Sequence, residues 1–265
     1  MNRSTYYKHH RSVPAKRTKE NQHIASLILH IYADYNKRLG AYKITYVLLR
    51  DYGIHVSVGR VYRLMKTLQL PKMSTIKPFL HKKHIDTGSF SNHLQQAFQQ
   101  KAPNLVWASD FTYIKVSGKW YYLCIIMDLF SRKVISWHIS AKPDVDLVIT
   151  AFNKAYQKRK PSPGLMFHSD RGSQYTAFAF RQLLDSLHIV QSFSKKAYSF
   201  DNACCESFFK YLKKEEVHRR TYHSLSELIL SIFDYIEGYY HSKRPHGSLG
   251  MLTPNELENQ YWKLH

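Results

Sequence analysis

The sequence predicts a two-part α/β protein, in which a small all-helical module precedes a mixed sheet with helices on its faces. Three observations predict it. The hydrophobic spacing switches from helical to alternating near residue 104, the charge balance changes at the same place, and 265 residues suffice for one small unit and one mid-sized body. Residues 1–103 carry 18 Lys+Arg against 4 Asp+Glu, net +14, while residues 104–265 carry 21 against 15, net +6. Hydrophobic residues make up 44% of the chain and aromatics 14%, too much apolar surface for a disordered tail. The total of +20 implies a polyanionic partner, nucleic acid ahead of an anionic membrane. The longest apolar run, residues 120–127, is too short to span a bilayer. The opening MNRSTYYKHHRSV offers no apolar signal core, so a cytoplasmic location is expected. Cys204 and Cys205 are adjacent, Cys124 lies in the apolar run, and no C-x-x-C pair exists, which disfavours disulfides and a structural zinc site.

The helical module is expected over residues 1–70. Ile24, Leu27, Ile28 and Ile31 fall at i, i+3, i+4 and i+7, and Ile44, Val47 and Leu48 begin the same spacing again. Gly53 ends the second of these helices, and Ser57 caps a third whose apolar face is Val61, Leu64, Met65 and Leu68. Helix, glycine-containing turn, helix is the grammar of a helix-turn-helix. Arg60, Arg63 and Lys66 lie on the polar face of the third helix, where basic side chains can meet phosphates or guanine edges in a major groove. A helical hairpin with a solvated basic face is the alternative. Residues 71–103, rich in Lys, His and Gln, read as a basic linker.

The body, residues 104–265, opens with three strands. Residues 105–116 read as a strand, residues 120–129 as a nearly continuous apolar strand of the kind buried on both faces, and residues 133–139 alternate, with Ile135, Trp137 and Ile139 on one side. Gly118 and Ser131-Arg132 occupy the turns, which makes an antiparallel meander. A helix carrying Val145, Val148, Ile149 and Phe152 follows, then the Pro161–Gly164 break and a short strand over residues 165–168. A helix with Phe180, Leu183, Leu184 and Leu187 inward leads to a last strand, residues 190–193, and a further helix over residues 203–217. Strands first, then helix and strand in alternation, give a mixed sheet.

Three acids stand out in that body. Asp110 lies mid-strand in W-A-S-D-F-T, a costly place for a carboxylate without a positive partner. Asp170 follows a strand in H-S-D-R-G-S-Q-Y, and strand ends are favoured ligand positions in such sheets. Glu206 opens a helix in D-N-A-C-C-E-S-F-F. Brought together by the fold, they would make an oxygen-rich site suited to Mg²⁺ or Mn²⁺, and two such ions suit in-line displacement at phosphorus. Singly, each also reads as a hydrogen-bonded strand acid, a turn residue or a first-turn helix acid.

Those three blocks resemble the catalytic blocks of the second-frame (OrfB) transposases of the third insertion-sequence family, in the D-D-E integrase-like superfamily. The 35 residues between Asp170 and Glu206 match the spacing of that group. So do S-N-H-L-Q-Q-A-F-Q-Q-K-A-P-N-L-V-W up to Trp107, M-D-L-F-S-R-K-V-I-S-W from Met127 and R-P-H-G-S-L-G-M-L-T-P from Arg244. The resemblance covers nearly the whole chain, and the upstream helices resemble the helix-turn-helix segment of these proteins.

The resemblance implies a ribonuclease H-like integrase catalytic domain with C-terminal helices. Asp110, Asp170 and Glu206 would be the catalytic, metal-ligating acids, holding two Mg²⁺ or Mn²⁺ ions for DNA strand cleavage and strand transfer. It also implies a basic residue seven positions after the glutamate, here Lys213. Glu206, Lys210 and Lys213 fall at i, i+4 and i+7, so both lysines can hold phosphate beside the acids. Double-stranded DNA, as element ends and target, a homo-oligomer on that DNA and a first-frame (OrfA) protein are the implied partners. Two departures bear on this. The family usually shows Tyr-Asn where this chain has Tyr240-His241, and the absence of cysteine from residues 1–103 disfavours the His/Cys zinc module of retroviral integrases. A catalytically silent DNA-binding regulator and a ribonuclease H-like nuclease that does not join strands are the alternatives. His168, two residues before Asp170, is either an orienting residue or a packed strand histidine.

Overall fold

The computed structural model describes residues 16–71, 90–195 and 199–265. The chain divides into two compact units, Met1–Lys77 and Pro78–His265. No helix among the described residues is long and apolar enough to cross a membrane.

The first unit holds three helices, α1 (Lys16–Asp34), α2 (Ala41–Tyr52) and α3 (Val58–Thr67). Ile24, Ile28 and Ile31 of α1, Ile44, Val47 and Leu48 of α2 and Val61 of α3 are each at most 1% exposed, so the apolar stripes face one another as their spacing requires. Gly53 ends α2 at φ 65°, a left-handed conformation that costs a glycine little. Ser57 caps α3, its hydroxyl accepting the Arg60 backbone N–H over 3.3 Å.

The second unit is built on five strands: β1 (Val106–Val116), β2 (Lys119–Asp128), β3 (Val134–Ser140), β4 (Met166–Ser169) and β5 (Val190–Phe193). Their order across the sheet is β3-β2-β1-β4-β5. The meander β1-β2-β3 is antiparallel, and β4 and β5 add in parallel on the other side of β1. Between β3 and β4 runs α4 (Val145–Arg159), and between β4 and β5 run α5 (Ser173–Thr176) and α6 (Phe178–Ser186). These helices cover a core of Trp107, Phe152, Phe167, Tyr175 and Phe180, all 0% exposed. Their rings meet mainly edge-on, with Phe152 5.6 Å from Phe167 and 5.8 Å from Phe180. After β5 come α7 (Ala203–Glu215), lying against β1, then α8 (Leu225–Phe233), a π-helical continuation (Asp234–Tyr240) and α9 (Pro254–Leu264).

Two details depart from the sequence expectation. The apolar strand β2 is buried on both faces only from Leu123 onward, and Trp120 is 49% exposed. The reason is topological: β4 pairs β1 only over Val106–Ala108 and β3 pairs β2 only from Tyr122 onward, so the far ends of β1 and β2 run on as a two-stranded hairpin with one face open. The expected linker, residues 71–103, is described from Phe90 onward, and there it is packed structure. Phe90 stacks 4.7 Å from Phe193, Leu94 is 3% exposed, and Asn92 and Gln96 bond to Asp201. The rest of that stretch, residues 72–89, lies outside the described residues.

Candidate active site

The parallel pairing of β1 with β4 sets the geometry of the acids. Asp110 lies two residues past the last β1-β4 pair, and Asp170 directly follows β4. Glu206 stands on the first turn of α7, which packs against β1. Asp110 accepts the N–H of Phe111 over 2.8 Å, and Asp170 accepts that of Gly172 over 3.0 Å. A side chain at position 172 would crowd this arrangement, since a Cβ there would sit 3.1 Å from Oδ1 of Asp170.

The three acids share one electrostatic field. Burial first, and then the negative charge of Asp170, push the Asp110 carboxyl up to about 8; Glu206 adds in the same sense, and the Lys213 ammonium opposes it. Asp170 is raised by burial, and Glu206, on the more exposed side of α7, is raised by partial burial alone. Among the described residues no three His, Cys, Asp or Glu side chains are gathered tightly enough to cage a metal ion. The acids are therefore neighbours in charge without being a closed ligand set.

Lys213 is the cation of this group. It is half-buried in the last turn of α7, its ammonium lies 4.8 Å from the centre of the Tyr113 ring, and burial lowers its pKa while Asp110 raises it. Lys210, one turn earlier, is exposed and rests beside the Tyr211 ring at 6.0 Å. In the first unit, Arg63 and Lys66 are exposed on α3 as the helical spacing requires. Arg60 on the same helix is turned inward, its guanidinium donating to Glu20 and to Asn21 of α1, each over 2.9 Å.

A frame of polar residues around the acids is the part that motif reading missed. Asn202, four residues before Glu206, donates its Nδ2 hydrogen to the backbone carbonyl of Ser109, immediately before Asp110, over 3.0 Å. The Ser109 hydroxyl shares a 2.8 Å hydrogen bond with the buried Tyr175, which ties the first acidic block to the second. His168 is fully buried, its Nδ1 2.9 Å from Ser192 Oγ and its Nε2 2.9 Å from the Asp201 carbonyl, and burial lowers its pKa to about 4. It is a neutral packed histidine that holds the approach to α7. Asp201 accepts from Asn92, Gln96 and the Lys195 backbone. Arg171 donates to the carbonyls of Ser194 and Phe90, each over 3.0 Å. Ser109, His168, Arg171, Tyr175, Asp201 and Asn202 sit inside the blocks that marked the resemblance, where side-chain chemistry alone did not separate frame from acids, whereas Ser192, Ser194 and Lys195 lie outside them. Cys205 is buried and its thiol is raised well above the ordinary range by that burial, so it packs.

The chain matches the model of the integrase core domain over residues 100–199, a second integrase core domain model over residues 206–261, and an HTH-like domain over residues 19–75. The transposase for insertion sequence element IS904 of Lactococcus lactis subsp. lactis (strain IL1403) is 35% identical over 92% of this chain and 97% of its own length. Transposase InsF for insertion sequence IS3A of Escherichia coli (strain K12) is 32% identical over 92% of this chain and 85% of its own. Among solved structures, the HTLV-2 integrase catalytic core domain in complex with magnesium aligns at 20% identity and a TM-score of 0.42, covering 60% of this chain and 99% of that one.

Proposed function

The chain belongs to the insertion-sequence transposases of the IS3 family, which carry an integrase core domain, and from that membership we propose that Asp110, Asp170 and Glu206 are its catalytic acids in a D-D-E polynucleotidyl transferase. The observation that carries this is the crowding of the carboxylates. Asp110 is held unusually basic by burial and by the charges of two acids from two other elements, with Lys213 the cation that acts on it. The one backbone donor that Asp110 accepts, the Phe111 N–H, opposes this rise without cancelling it, whereas a purely structural buried acid would normally be matched by a salt bridge.

The donor set fits Mg²⁺ or Mn²⁺. It consists of hard oxygen ligands, and the nearby imidazole and thiol, His168 and Cys205, are buried and occupied with packing. Two bound divalent ions would activate an attacking oxygen and stabilise the leaving oxygen of an in-line displacement. The chain's own residues do the rest. Asn202, Asp201 and His168 hold α7 and its glutamate beside β1, so that the acids are oriented before substrate arrives. Lys213, half-buried next to Asp110, supplies a fixed positive charge for a phosphate oxygen. Exposed Lys210 and, in the first unit, Arg63 and Lys66 extend phosphate contact to double-stranded DNA of the element ends. Arg60 contributes by bracing α3 against α1. A homo-oligomer assembled on the DNA is part of the same proposal.

The experiment is cleavage and joining of a duplex carrying the element's ends, with Mg²⁺ added and then withdrawn by chelation. Activity is expected only with metal, and is expected to disappear in Asp170→Asn and Glu206→Gln. Activity retained in either variant sinks the assignment of the acids.

A further inference from the structure

We propose that the groove along the open edge of β1 is a binding site for an unpaired stretch of DNA strand, whose bases stack on Tyr113 and Trp120. This rests on the transposase reading only for the identity of the nucleic acid; the groove is a feature of the fold.

Among the described residues β1 has no strand partner on the β4 side beyond Ala108, and past Tyr122, where β3 stops pairing β2, β1 and β2 run on as a hairpin, with Tyr113 opposite Tyr122 and Lys115 opposite Trp120. The alternation of β1 then divides its side chains cleanly. Ile114 and Val116 are 3% exposed on one face, while Tyr113 on the other is 57% exposed. Trp120 is 49% exposed beside it, with the two rings 5.1 Å apart and nearly perpendicular. Large rings left this open on a hairpin forgo the burial that would stabilise them, which marks a recognition surface.

Each ring carries a cation. The Lys115 ammonium is 5.6 Å from the centre of the Trp120 ring and that of Lys213 is 4.8 Å from the centre of Tyr113. The groove has a volume of about 760 Å³, and His218, Arg220 and His223 add basic character to its lining, which contains no carboxylate among the described residues. Arg220 is paired with the buried Glu216 at 2.7 Å yet keeps more than half of its side chain exposed. A lining of this kind excludes an acidic peptide less than it excludes a neutral one, but the exposed ring faces favour a ligand that carries planar groups as well as negative charge. Nucleic acid does both. In a duplex every base face is covered by its neighbours, so only unpaired nucleotides can stack here. Lys213 belongs to both the groove and the acidic site, because Asp110 acts on its charge. A strand lying in the groove is thereby led towards the acids.

The test uses the full chain without divalent ions. A fluorescently labelled 12-nucleotide oligothymidylate and a 20-base-pair duplex of unrelated sequence are titrated at several salt concentrations. Replacing both rings, Tyr113→Ala with Trp120→Ala, is expected to lower the ratio of single-strand to duplex affinity about tenfold or more. Tyr113→Phe with Trp120→Phe, which keeps ring faces, is expected to hold the ratio within about threefold. Lys115→Ala is expected to reduce the salt slope on the single strand by about 0.7. Both rings are exposed, and an unchanged thermal transition verifies that the variants fold. A ratio that does not move when the rings are removed overturns the proposal, whether single-strand affinity is kept or falls in step with that for duplex. Strand cleavage is scored separately. A chain that cleaves without ring-dependent binding overturns the groove alone, and one that binds through the rings but never cleaves overturns the catalytic assignment alone.

Discussion

Asn202 Nδ2 lies 3.0 Å from the Ser109 carbonyl oxygen, so one buried amide on the approach to α7 grips the residue before Asp110. Glu206 is one helical turn further on, and the orientation of the helix that carries it is fixed at this bond. Among the described residues the Oδ1 of Asn202 is buried without a hydrogen-bond partner.

Asn202→Ala is therefore expected to separate stability from activity. It removes one neutral hydrogen bond and leaves the buried Ser109 carbonyl without it, at about 1–3 kcal/mol that the loss of the buried Asn202 oxygen partly offsets, so a loss of about 1–2 kcal/mol in unfolding free energy is expected. Strand cleavage should fall about tenfold or more, since small misplacements of positioned groups are costly. Denaturant titration and single-turnover cleavage measure the two. Cleavage that stays at the wild-type rate in the folded variant would mean that Asn202 is only structural.

The second prediction concerns Asp201, where Oδ2 accepts from Asn92 Nδ2 and from the Lys195 backbone and Oδ1 accepts from Gln96 Nε2. Asp201→Asn turns one of those acceptors into a donor that faces donors. A loss of about 2–3 kcal/mol is expected, against about 1–2 kcal/mol for Asn92→Ala, which removes one charge-assisted bond and the exposed neutral bond that Asn92 Oδ1 accepts from the Gln95 N–H. Hydrogen exchange should show residues 90–96 losing protection first in the Asp201 variant. Protection unchanged there would show that the segment docks without Asp201, through Phe90, Leu94 and the bonds to Arg171 and Ser192.

These relationships explain what was and was not legible in the sequence. The helices of the first unit and the β1-β2-β3 meander follow from local periods of three to four and of two, which the core enforces within each element. The grip of Asn92 on Asp201 joins residues 109 positions apart, and that of Asn202 on Ser109 joins residues 93 apart. No local pattern encodes either. Arg60 illustrates the same limit. Helical spacing puts it on the basic face of α3 with Arg63 and Lys66, but Glu20 and Asn21 of α1, some forty residues back, draw it inward. Tyr113 and Trp120 read as ordinary strand aromatics because their exposure depends on where β4 and β3 stop pairing with β1 and β2.

The third prediction tests a block that carried the resemblance. Arg244 is 3% exposed and holds Glu215 through two parallel bonds, Nε to Oε2 and Nη2 to Oε1, each 2.9 Å, with Tyr235 donating to the same carboxylate. Its guanidinium lies 4.1 Å over the Tyr211 ring. The R-P-H block thus fastens the C-terminal segment to α7. Arg244→Ala should cost about 3–5 kcal/mol by stranding the Glu215 charge, whereas Arg244→Met combined with Glu215→Leu should recover most of it. A double-mutant cycle in denaturant gives the coupling. Additive losses would deny that the pair acts as a unit. Arg244→Lys should remain destabilised, because an ammonium cannot reproduce the fork.

The last prediction follows from His241, the departure from the family's usual asparagine. It is fully buried, its Nε2 accepts the Val134 N–H over 3.0 Å at the start of β3, and its Nδ1 therefore carries the proton and donates to Glu237 over 3.0 Å. Protonating Nε2 would set a donor against the Val134 donor and bury a positive charge. Burial accordingly lowers the His241 pKa, Glu237 opposes that shift, and Lys133 and Lys158 add to it. With a folded pKa below the unfolded value of about 6.5, the unfolded chain takes up the proton first. The stabilisation by neutral His241 is thus complete above about pH 6.5 and drains away as pH falls below it, by at most about 1.4 kcal/mol per pH unit. His168, also buried and lowered, shares the trend, so the wild-type curve alone does not isolate His241. The informative quantity is the stability difference between the wild type and His241→Asn, which has no imidazole to titrate at that position. It should shift in favour of the variant between pH 7 and pH 5 when both are unfolded by denaturant. A difference that stays constant across that range would show that His241 accepts a proton as readily folded as unfolded.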